Sequence, residues 1–163
     1  MDATGIVLGL ATVAVGMMAG VFAIYAIAVM PGLRRVDDRT FVGAFQAVDR
    51  AIVTPVFLGL FLGALVLPVV AAVLLAGDGG AALSWTVTGI VAYLAVIAIT
   101  ARIHVPRNDA LKAAGDPDEM DLPAVRAAFD EQRWASWNIV RASVCTSAFA
   151  CLVLALVEYG RTL

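Results

Sequence analysis

His104 is the only histidine in the chain, and it stands among other groups that handle protons or anions: Arg102, Arg107 and Asn108. Further on, Trp134, Trp137, Asn138, Arg141 and Cys145 recur at helical spacing and share one stripe of a helix. Tyr93, Ile97, Thr100 and His104 form a comparable stripe, with Asn108 just past Pro106. A third group, Tyr25 with Arg34 and Arg35, lies at the end of the first apolar run. If the stripes face one another, His104, Asn108, Asn138 and Arg141 surround one pocket roofed by apolar and aromatic side chains, the usual form of a small-ligand site. Each residue also has a plainer role open to it. Arg141 snorkels to headgroups, Trp134 and Trp137 form an interfacial belt, Pro106 ends a helix, and His104 is structural. One histidine supplies neither a bis-imidazole haem site nor a metal triad within one subunit, so no metal and no other cofactor is expected.

The elements that must position these residues are hydrocarbon-length helices. Hydrophobic residues make up 62% of 163 and charged residues 15%, against about 45–50% and 25% in a soluble domain. Mean hydropathy is +0.94. A spanning helix needs about 20 apolar residues, and four stretches qualify: 5–30, 51–76, 83–105 and 137–159. In lipid every backbone polar group must be satisfied within the fold, so these runs are helices. The first run is too long, and lacks the basic start, for a cleaved signal peptide; it reads as a retained helix. Cys145 and Cys151 match neither a zinc nor a redox spacing and read as small core hydrophobes.

Charge placement orients the helices. Arg34, Arg35, Arg39 and Arg50 flank the first connection; Arg102, Arg107, Lys112, Arg126, Arg133 and Arg141 flank the third. The second connection holds no basic residue, and the termini hold only Arg161. Because basic loops stay cytoplasmic, the expectation is an all-α membrane protein. It is a four-transmembrane-helix bundle in one domain over 1–163, both termini outside, and loops one and three cytoplasmic in the cell membrane. Asp37 and Asp38 start a short helix, and Phe41, Phe45, Val48 and Ile52 give it an apolar face. Asp121 before Pro123 starts another. From there nothing interrupts a helix until Gly160, so the fourth is long and extends into the cytoplasm, with Arg126 and Asp130 paired along it. Gly5, Gly9, Gly16 and Gly20, with Gly59 and Gly63, allow close helix approach, either within the bundle or between copies of the chain.

Five segments carry a family resemblance: Val29 to Leu33, Phe45 to Arg50, Thr54 to Phe57, Val105 to Leu111, and Trp134 to Arg141. On them the chain resembles the anthrone oxygenase-like family of small four-span membrane proteins. Relative to that family's pattern, Asp49, Thr54 and His104 stand where asparagine is frequent, and Ile139 where histidine is frequent. The resemblance implies oxidation of an anthrone to an anthraquinone by dioxygen without metal or flavin. It then implies His104 as base, its ordinary pKa of about 6.5 suiting the task. Arg141, Asn108 and Asn138 would hold the anionic oxygen, and Trp137 and Tyr25 would stack on the rings.

A competing expectation is a non-enzymatic membrane subunit that assembles with itself or a larger complex. A transporter would show internal repeats and broken spans with polar midplanes, which are not seen. Nucleic-acid binding is excluded by the interleaving of acidic with basic residues; the latter read as contacts to membrane lipid headgroups.

Overall fold

The computed structural model describes residues 2–77 and 80–162. The regular elements among those residues are all helices, and four helical runs are long and apolar enough to cross a membrane: Ala3–Leu33, Pro55–Leu75, Gly80–Ala113 and Leu122–Gly160. In order, the elements are α1 (Ala3–Ile24), a π-helical turn π1 (Tyr25–Val29), α2 (Met30–Leu33), α3 (Asp38–Ile52), α4 (Pro55–Leu75), α5 (Gly80–Ile99), a second π-helical turn π2 (Thr100–His104), α6 (Val105–Ala113), α7 (Leu122–Phe129) and α8 (Glu131–Gly160).

The starts follow from side chains that take up otherwise unpaired N–H groups. Asp37, Thr54 and Asp121 accept from the backbone of Thr40, Phe57 and Ala124, and Pro55 supplies a first-turn residue that needs no partner. In the bundle, α8 packs on both α1 and α5, and α4 on both α1 and α5, closing a ring of four. Lipid gives no hydrophobic drive for this association, so close packing through small residues carries it. Ala11, Ala14 and Ala19 of α1, Ala64 and Ala71 of α4, and Ala142, Ala148 and Ala155 of α8 are all buried. Gly89 brings α5 so near α8 that an added Cβ would lie 3.3 Å from the carbonyl oxygen of Ala148.

A second apolar core caps one end of the bundle. Met30, Phe41, Val42, Phe45, Leu111, Phe129 and Trp134 pack there. Gln46 of α3, itself buried, donates to the carbonyls of Leu111 (2.8 Å) and Gly115 (3.1 Å) and so ties α3 to the end of α6.

Several expectations are corrected. The fourth helix is broken at Asp130, which adopts a left-handed conformation (φ 54°) between α7 and α8 and caps α8 by accepting from Arg133 N–H. Arg126 therefore pairs not with Asp130 but with Glu131 (2.9 Å) and Asp38 (3.0 Å), over the Phe41 ring. Pro106 does not end the third helix, which runs on as α6 to Ala113. The glycines of α1 and α4, for which the sequence leaves open packing within the bundle or between copies, divide: a Cβ on Gly16 would meet the Phe149 ring at 2.8 Å, whereas one on Gly9, Gly20, Gly59 or Gly63 would meet nothing within 4 Å.

Candidate functional site

Two prolines shape the site. Proline has no N–H to return to the preceding turn and its ring crowds the carbonyl four residues back; α4 runs on through Pro68 all the same, but at two other prolines the helix takes up the mismatch in a wider turn. Ahead of Pro31 and Pro106 the chain widens into π1 and π2, in which Met30 N–H reaches back to Tyr25 O and Val105 N–H to Thr100 O. Such turns are rare and cluster at functional sites. Here both border one cavity, presenting Tyr25 from π1 and Thr100 and His104 from π2.

The cavity has a volume of about 460 Å³, within the roughly 300–1,000 Å³ of small-molecule sites. Its walls are largely aromatic and aliphatic, with Phe22, Phe45, Phe57, Phe61 and Trp134 supplying the rings. Polar groups reach it at two poles.

The first pole is Arg141. Its side chain is buried in α8, where Nη2 donates to Asn138 Oδ1 (2.7 Å) and Nη1 to Thr100 Oγ1 (3.3 Å). The guanidinium lies 4.2 Å over the Phe22 ring. Among the described residues no carboxylate pairs with it. Asn138 is fully buried and cannot turn, because its Nδ2 donates to Phe22 O at the entry to π1 (3.1 Å). The amide thus offers its oxygen to the cation. His104 stands in the same wall, 1% exposed, its ring 4.7 Å from that of Trp134 and at an edge-on angle. Among the described residues, neither His104 Nδ1 nor Nε2 has a hydrogen-bond partner. A buried imidazole without partners is costly, and one that faces a cavity is satisfied by what enters it.

The second pole is a chain of contacts between α3, α6 and α8. Lys112 Nζ pairs with Asp49 (2.7 Å) and Asp109 (3.0 Å). Asn108 Nδ2 donates to Asp49 Oδ1 (2.7 Å), and Trp134 Nε1 donates to Asn108 Oδ1 (2.9 Å). An indole only donates and a carboxylate only accepts, so the Asn108 amide has one possible orientation.

Of the residues singled out from sequence, Tyr25, His104, Asn108, Trp134 and Arg141 line the cavity, and Asn138 supports Arg141 from behind. Trp137 is turned about 60° from Trp134 around α8, faces outward at 37% exposure, and lies outside this cavity. Arg35 is exposed and lies outside it too. Lys112 and the phenylalanine walls were not singled out for the pocket from sequence, Thr100 was noted only within the His104 stripe, and Asp49 only as a departure from the family pattern. Asp49 and Lys112 read locally as a solvated helix face, and their pairing spans a long stretch of chain. The signals for Asp49 were its place in the segment from Phe45 to Arg50 that carries the resemblance and its position a single turn before the non-helical Val53–Thr54 elbow. Among the described residues no three His, Cys, Asp or Glu side chains converge as for a metal ion.

A family model described as anthrone oxygenase matches residues 56–151. Neither a curated protein nor a solved structure matches the chain. The matched stretch carries His104, Asn108, Trp134 and Arg141, while Tyr25 and Asp49 precede it.

Proposed function

Because the chain belongs to the anthrone oxygenase family, we propose that it binds a planar aromatic ligand in this cavity and oxidises an anthrone to the anthraquinone with dioxygen. The observation that carries the reading is Arg141, a buried cation that pairs with no carboxylate among the described residues, set beside an imidazole that has no partner among them, in an aromatic-walled cavity. An anthrone has an acidic methylene opposite its carbonyl. Removal of one methylene proton places negative charge on the carbonyl oxygen, and the resulting carbanion reacts with dioxygen directly. The protein must accept the proton, hold the anionic oxygen and keep water away. Arg141 holds the oxygen, an interaction strengthened by the low-dielectric wall. Phe22, Phe57, Phe61 and Trp134 enclose the rings. Two groups in the wall are able to take the proton, the His104 imidazole and the Asp49 carboxylate.

The orientation that fits this site is the one that the basic residues indicate. Both termini lie outside the cell membrane, and α3, α6 and α7 lie on the cytoplasmic side, where ten of the eleven basic residues gather. A second reading, assembly with itself or with another membrane protein, draws support from the open faces at Gly9, Gly20, Gly59 and Gly63.

The test is oxygen uptake by the purified protein in lipid nanodiscs with dithranol, a dihydroxyanthrone. Uptake above that of empty nanodiscs is expected, one dioxygen per quinone formed. Arg141→Met lowers it by about 10²–10³-fold, the effect of removing one oxyanion donor. Uptake no faster than in empty nanodiscs, or unchanged in Arg141→Met, removes the reading.

A further inference from the structure

We infer that Asp49, and not His104, takes the proton from the acidic carbon of the ligand, so that the reaction moves one negative charge from the Lys112 pole of the cavity to the Arg141 pole. The inference rests on the anthrone reading above.

Asp49 borders the cavity, and its side chain is only 11% exposed. Its carboxylate is positioned from both sides, by Asn108 at 2.7 Å and Lys112 at 2.7 Å, and Asn108 is in turn fixed by Trp134. This arrangement is not needed to dock α3, because Gln46 already anchors that helix to two carbonyls at the end of α6. The charges at the two poles also fit only one direction of transfer. A proton added to Asp49 leaves Lys112 still paired, with Asp109 at 3.0 Å. The charge that Asp49 gives up reappears on the ligand oxygen, where Arg141 has no other carboxylate. A proton added to His104 would instead put a second cation beside Arg141 on an aromatic wall. His104, kept neutral, has an N–H to offer the same oxygen.

The step balances. The methylene C–H bond breaks, its electron pair enters the ring and carbonyl system, and the proton forms an O–H bond on Asp49. The carbanion passes electrons to dioxygen and forms a C–O bond, and the resulting peroxide takes the proton back from Asp49. Loss of the remaining hydrogen as a proton then cleaves the O–O bond and expels hydroxide, which that proton converts to water. The methylene is oxidised to a carbonyl and dioxygen is reduced, half of it to water.

The experiment is anaerobic stopped-flow absorbance of dithranol mixed with the protein in nanodiscs, read at the visible band of the anthrone anion. Quenching of tryptophan fluorescence reports binding in parallel. Wild type is expected to bind and ionise dithranol. Asp49→Asn is expected to bind it with anion formation slowed by about 10²–10⁴-fold, the contribution of a positioned general base. His104→Gln slows it less. Should Asp49→Asn not fold, Asp49→Glu carries the test: a displaced carboxylate still ionises the ligand, more slowly. Ionisation at the wild-type rate in the Asp49 variants, or a larger loss in His104→Gln, overturns the inference, as does a wild-type protein that binds dithranol without ionising it. Ionisation by wild type that depends on Asp49, with no oxygen uptake once air is admitted, removes the oxygenase reading and leaves Asp49 as the acceptor. Absence of binding overturns both.

Discussion

Arg141→Met separates a cation kept for a ligand from one kept for the fold. The substitution retains length and removes the charge. It leaves Asn138 Oδ1 without its 2.7 Å donor, a loss of about 1–3 kcal/mol for an unsatisfied buried acceptor. The stacking over Phe22 at 4.2 Å also goes, about 0.5–2 kcal/mol. Thr100 is not orphaned, because its hydroxyl already donates to Val96 O at 2.8 Å. Against these losses stands the removal of a buried guanidinium with no carboxylate, whose desolvation costs several kcal/mol. The opposing contributions nearly cancel, so the variant should lie within about 1 kcal/mol of wild type or above it, whereas breaking a buried ion pair costs about 3–5 kcal/mol. The assay is reversible unfolding in mixed micelles titrated with sodium dodecyl sulfate and followed by helical circular dichroism. Repeating it with the anthraquinone product at about 100 times the wild-type dissociation constant should stabilise wild type by about 2.7 kcal/mol and a variant that binds at least about tenfold more weakly by no more than about 1.4 kcal/mol. A loss of 3 kcal/mol or more without ligand, on the scale of a broken ion pair, would refute the reasoning and make Arg141 a structural residue.

Glycine substitutions should divide by what each position faces. Gly16→Ala drives a Cβ to 2.8 Å from the Phe149 ring and should destabilise by about 1–3 kcal/mol. Gly20→Ala and Gly59→Ala meet nothing within 4 Å and should stabilise by about 0.5–1 kcal/mol, measured in the same unfolding assay. Trp134→Phe removes the donor to Asn108 Oδ1; it should destabilise by about 1 kcal/mol and weaken quinone binding. Asp37 is held below its ordinary value of 3.8 chiefly by the Thr40 backbone N–H, and also by the Thr40 hydroxyl. Its support of α3 is therefore full above the unfolded value and lost as pH falls through the lower folded one, so amide exchange in α3 should quicken in that acid window and do so less in Asp37→Asn. With Cys145 and Cys151 replaced by serine, a cysteine at Gly77 should react with an impermeant reagent outside the cell and one at Ala114 only after permeabilisation. Labelling of both from one side would contradict the orientation.

Much of the fold is legible because a membrane leaves few choices. Long uncharged runs become helices, and the caps at Asp37, Thr54 and Asp121 are local in sequence. The break at Asp130 is not legible. Nothing in the sequence of α7 and α8 forbids continuity, and the left-handed residue is held by contacts from elsewhere, with Arg126 clamped to Asp38 and Glu131. The π turns are half legible. Pro31 and Pro106 stand where the register changes, but Pro68 stands inside α4 without a π turn, and a proline alone reads equally as a helix end, as it did at Pro106. In the site, helical periodicity places the stripe through His104 and that through Trp134, Asn138 and Arg141, and the packing of α8 on α5 brings the two together. Trp137 belongs to the same stripe by spacing but points outward at 37% exposure, a difference that periodicity alone does not show. Asp49 and Lys112 could not be found this way. Their partnership depends on α3 folding back across the end of the bundle, and that docking is decided by Phe41, Phe45 and Gln46 meeting residues more than sixty positions later.

The most direct measurement is the dissociation constant of the anthraquinone product in nanodiscs, read by quenching of Trp134 after Trp85 and Trp137 are replaced by phenylalanine. The account predicts saturable binding, one ligand per chain, weakened at least about tenfold in Arg141→Met, equivalent to about 1.4 kcal/mol. Quenching that rises without saturating, as for simple partition into lipid, or an equal constant in Arg141→Met, would contradict it.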